Sequence, residues 1–73
     1  MTSPDTNWII TAPGIMELPQ TKFRIEYVNG ASMPFHVLWN GKLIPAGDCS
    51  TLSFAKTAAA HYMQELVMMG FEV

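Results

Sequence analysis

KFRIEYVNGASMPFHVLWNGKLI, residues 22–44, carries the pattern that decides the fold. Phe23, Ile25 and Tyr27 alternate with Lys22, Arg24 and Glu26, a period of two that predicts a strand with one buried and one wet face. Phe35 to Trp39 follows as a second strand. Phe35, Val37 and Trp39 cannot share a face with His36 and Leu38, so an inward aromatic–aliphatic triad turns Leu38 outward. Asn40-Gly41 then joins directly to Lys42-Leu43-Ile44. That pair predicts a tight hairpin, because both central residues of the turn must accept positive φ. Pro45 and Gly47 are expected to close this strand.

The chain on either side completes the layout. Met1 to Thr6 is polar with an early proline and is expected to be disordered. Asn7 to Ala12 (NWIITA) is rich in β-formers and stops at Pro13-Gly14, while Ile15 to Leu18 reads as a short extension before Pro19-Gln20. Asp48 to Thr51 offers N-cap residues for a helix from Leu52 to Met69, and Gly70 is placed to end it. The expected fold class is α+β: an antiparallel β-meander of three to four strands packed against one C-terminal helix, with residues 7–73 as a single domain.

The helix has two apolar sides. Leu52, Ala55, Ala59, Tyr62, Leu66 and Met69 recur at spacings of three and four and form the expected core stripe, with Met63 and Val67 on its flank. Alanine at positions 55 and 59 lets the first half sit close to the sheet. The opposite line holds Phe54, Ala58, His61, Glu65 and Met68, and Lys56 and Glu65 are the only charges in the helix. A helix that is apolar nearly all round is normally covered. Two readings remain open: a broad sheet wraps the helix and takes Phe54 and Met68 as core edges, or this outer line binds a partner. Leu38, the strand at Lys42 to Ile44, and Phe54 or Met68 form a further candidate patch.

Composition removes several functional classes. A chain of 73 residues supports one modest core, and one whose residues are only 14% charged leaves apolar surface exposed. The net charge of −2, with Lys22, Arg24, Lys42 and Lys56 as scattered cations, argues against nucleic acid as the primary ligand. The lone Cys49 excludes an internal disulfide. No apolar run approaches the roughly 20 residues that span a bilayer, so no membrane role is expected. His36, His61 and Cys49 share no metal-ligand spacing, and no nucleophile–base pair, paired carboxylates or glycine-rich phosphate loop stands out. The expectation is a non-enzyme without metal or cofactor. Trp8 and Trp39 are expected as mostly buried anchors.

Strands followed by Ala55-Lys56-Thr57-Ala58-Ala59-Ala60 superficially resemble the last two-thirds of a double-stranded-RNA-binding domain. Thr51-Leu52-Ser53-Phe54 lacks the lysine cluster which that family uses on phosphates, and its first helix is missing. Taken whole, the chain resembles the small RNA-polymerase-binding transcription regulators of lytic Xanthomonas bacteriophages. The likeness lies in its length, its acidic, cysteine-poor composition, the meander (Lys22–Val28, Phe35–Trp39, Lys42–Ile44) and the helix from Leu52 to Met69. It covers the full chain and carries no signature motif, so no residue role transfers.

The resemblance implies a protein in the cytoplasm of the infected bacterial host that binds the N-terminal region of the RNA polymerase β′ subunit, and a monomer is expected. Such a protein inhibits initiation by helping to displace the σ factor, and promotes antitermination. The alternatives are an inhibitor of another host protein, an RNA-binding β-β-β-α module, and a homodimer that buries the outer helix face upon itself. The residues expected at a partner interface are Glu26, Phe54, His61, Glu65 and Met68.

Overall fold

The computed structural model describes residues 8–73. The expected disordered segment, Met1 to Thr6, lies outside the described residues. The architecture is an α+β fold in which a five-stranded antiparallel sheet packs against one C-terminal helix. The strands are β1 (Ile9–Ala12), β2 (Ile15–Glu17), β3 (Phe23–Tyr27), β4 (Phe35–Trp39) and β5 (Lys42–Cys49), and the helix is α1 (Leu52–Met68). Spatial order equals chain order, which makes the sheet a plain meander.

The strand count is five where three to four were expected, because the segment at Ile15 pairs on both sides. Gly14 at φ +76° turns β1 back onto β2, and the Tyr27 N–H donates to the Gly14 carbonyl at 2.8 Å. A second difference is β5, which does not close at Pro45 but runs on to Cys49. Proline is tolerated there because β5 is an edge strand, where a missing N–H need cost no ladder bond. The register shifts between His36 and Leu38, whose partners are Asp48 and Leu43, so a bulge of extra residues faces Val37. Ala46 takes φ +57° within it. A Cβ on Gly47 would meet Ile44 Cγ1 and the Ile44 and Val37 carbonyl oxygens at 2.8 Å each, so only glycine fits. The Asn40-Gly41 turn is as expected, with φ +55° and +80°.

Thr51 is the N-cap of α1, its hydroxyl accepting from the Phe54 N–H at 3.1 Å. Met69 is the C-cap, so the helix ends one residue earlier than expected. Gly70 follows at φ +88°, and the Phe71 and Gly70 N–H groups donate to the Leu66 and Val67 carbonyls. This paired closure is the Schellman motif. The tail then returns to the sheet, where the Lys22 N–H donates to the Val73 carbonyl at 3.0 Å.

Phe23, Ile25, Val37, Ile44 and Cys49 on the sheet meet Ala55, Ala59 and Leu66 on the helix, with Trp8 and Leu18 extending the buried cluster. Both alanines are buried, which lets the first half of α1 lie close to the strands. Tyr62 makes edge-on contacts at 6.4 Å with both Phe23 and Trp39. Phe71 stands 6.0 Å from Trp39, and Lys22 Nζ sits 5.8 Å from the centre of the Trp39 ring. Trp8 is buried and Trp39 half-buried. Met69, expected in the core stripe, is exposed instead: the last helix residue in the core cluster is Leu66, about one turn earlier. Val67 is exposed as well.

Candidate interaction surfaces

The helix packs mainly on β4 and β5. That position fixes which of its sides is left in solvent. Phe54 is 63% exposed and Met68 84%, with His61 and Glu65 exposed between them. Ala58, the remaining member of the line, is half-buried against the core. The sheet therefore does not wrap the helix, and the reading of Phe54 and Met68 as core edges is set aside. Val67, Met69 and Phe71, neighbours of Met68 in the chain, are exposed as well. The sequence had placed Met69 in the core stripe and Val67 on its flank, but the core cluster takes in no helix residue beyond Leu66.

Glu26 does not join these four residues. Phe23 contacts Tyr62 on the helix side, and Ile25 is buried with it, so Arg24 and Glu26 project from the other face of β3. On that face, Glu26 lies opposite His36, and His36 opposite Asp48. Arg24 donates to Glu26 at 3.2 Å and to Glu17 at 3.1 Å. These hydrogen bonds, Glu26 first and Glu17 second, hold the guanidinium above its ordinary pKa. All three side chains are well exposed, so the pairs set geometry more than stability. Leu38 shares this outer face, paired with Leu43, and is half-buried. Leu38 and Leu43 thus lie across the sheet from Phe54 and Met68, and the single patch expected from them does not form.

Cys49 pairs with Phe35 and is buried on the helix side, whereas His36 pairs with Asp48 on the other face. The two cannot act as nucleophile and base. Burial, with the charge of Asp48 adding to it, pushes the Cys49 thiol up from its ordinary range and so disfavours the reactive thiolate. No three His, Cys, Asp or Glu side chains among the described residues converge as metal ligands. A shallow depression beside Lys56, Ala60, His61 and Gln64 is bounded by α1 alone and encloses nothing. No described helix is long and apolar enough to cross a membrane.

Two polar atoms are buried without partners among the described residues, the indole Nε1 groups of Trp8 and Trp39. Compared with known proteins, the chain matches no family model, no curated protein and no solved structure.

Proposed function

We propose that this chain is a non-enzymatic, phage-encoded regulator that binds host bacterial RNA polymerase in the N-terminal region of β′. In this reading it inhibits initiation by displacing the σ factor and promotes antitermination, acting as a monomer in the cytoplasm of the infected host. The observation that carries the binding half is the outer line of α1, where Phe54 and Met68 stand exposed and Glu65 is the only charge. Isolated exposed apolar residues are ordinary, but two large ones on the outer side of a helix with a single charge in that line fit a recognition face. The polymerase half follows from the resemblance to the phage regulators.

Two of the four cations are already engaged within the protein, Arg24 by two carboxylates and Lys22 over Trp39. That supports a protein partner over a phosphate backbone. A standard interface takes about 800 Å² per partner, roughly one-sixth of the 4930 Å² surface, so one helix face with its flanks is of the right size.

Affinity capture from bacterial lysate, repeated with purified core polymerase and a β′ N-terminal fragment, tests the proposal. The β′ fragment is expected to bind directly, and a folded Phe54→Lys/Met68→Lys double variant to lose it. Capture of some other host protein, with no polymerase subunit bound, would replace the polymerase by a different target.

A further inference from the structure

The sheet has two outer edges, and they are finished differently. On β5, Pro45 has no N–H to offer, Ala46 sits at φ +57°, a bulge interrupts the strand, and Lys42 and Asp48 bring charge. These are the devices by which sheets discourage a further strand. β1 shares only an irregular register, between Ile10 and Ala12. It reads Ile9-Ile10-Thr11-Ala12, without charge or proline, and Ile9 and Ile10 are 50% and 75% exposed.

The surroundings of β1 are also asymmetric. On the helix side, Ile10, Met16, Ile25, Tyr27, Phe35 and Leu52 line an apolar trough of about 150 Å³. On the other side Glu17 leans toward the edge, its Oε2 accepting from the Thr11 hydroxyl at 3.4 Å. Glu17 and Glu26 share one guanidinium, that of Arg24, so this trio of side chains carries a net negative charge.

We propose that β1 is a docking edge for an extended segment of a partner protein, added as a sixth strand, with aliphatic residues at alternate positions and lysine or arginine between them. The main chain of β1 supplies hydrogen bonds along its length. Alternation sends the aliphatic side chains toward the trough and the basic ones over Ile9 and Thr11 toward Glu17. A second copy of this chain suits the edge less well. Its own β1 has no cation to offer, and it would bring another Glu17 to a trio that is already net negative. The inference rests on the chain being a protein-binding module, not on the partner being polymerase, and it concerns a surface separate from the outer line of the helix.

The test is an amide NMR titration of the full ¹⁵N-labelled chain with a short peptide alternating valine and lysine, alongside one alternating valine and glutamate. The lysine peptide is expected to shift Ile9 to Ala12 and the trough residues Met16 and Tyr27, more weakly as salt is raised. Ile10→Lys, at a largely exposed position, is expected to abolish binding while keeping a folded spectrum. Glu17→Gln is expected to weaken binding severalfold. Equal binding of the glutamate peptide, shifts confined to α1, or no binding of either peptide would overturn the proposal. Concentration-dependent shifts of β1 without peptide would assign the edge to a second copy and overturn it as well. Failed capture of polymerase leaves this readout intact, so the two proposals fail independently.

Discussion

Ile10, Met16, Ile25 and Val37 form one cross-strand row on the helix side of the sheet, and their exposure falls across it. Ile10 is 75% exposed, Met16 half-buried, Ile25 2% and Val37 0%. Four apolar residues of similar bulk thus meet different fates within one row. The difference comes from the partner layer: α1 lies over β4 and β5, and its reach fades toward β1. The β3–β5 block with its helix is a core, while the β1–β2 hairpin is an extension of that core's sheet into solvent. Burial free energy follows the area removed from water, so the two regions contribute unequally although their sequences are equally apolar.

The contrast can be broken most strongly at Leu66. Leu66→Ala leaves a cavity under the helix and is expected to cost about 2–5 kcal/mol, whereas Ile10→Ala at the exposed end of the row is expected to stay within about 0.5 kcal/mol. Urea denaturation of the two variants measures this. Comparable losses would show that β1 is packed as well as the block.

Gly47→Ala sharpens the comparison at the other edge. The new methyl group meets two carbonyl oxygens and Ile44 at 2.8 Å, and a loss of about 1–3 kcal/mol is expected in the same assay. The smallest effect is in pH. The Cys49 thiol is raised in the folded state, so its contribution is fully present below the ordinary thiol pKa and is lost as pH rises through the raised value. Denaturation midpoints are expected to fall on the alkaline side, and Cys49→Ala to remove that part of the fall.

Much of this fold was legible in the sequence, for identifiable reasons. The alternation of Lys22 to Tyr27, the Asn40-Gly41 turn and the three–four spacing of Leu52 to Leu66 are local signals that packing did not overrule. Pro45 misled because its meaning depends on whether the strand is central or at an edge, and edge position is a tertiary property. The outer line of α1 could be drawn from periodicity, but its exposure depended on how far the sheet extends under the helix. Glu26 shared the negative charge sought for an interface, yet strand alternation placed it on the far face. The uncharged edge at β1 gave no sign of itself, since NWIITA reads the same in a central strand.

The plain meander has a consequence for the order of assembly during synthesis. Each strand pairs with its neighbour in the chain, so every hairpin can close soon after it leaves the ribosome. The layer that shields Phe23, Ile25 and Val37 comes from Leu52–Met68, after all five strands. Until that helix emerges, the nascent sheet shows its apolar face to solvent, and chaperone engagement is expected to concentrate in that interval.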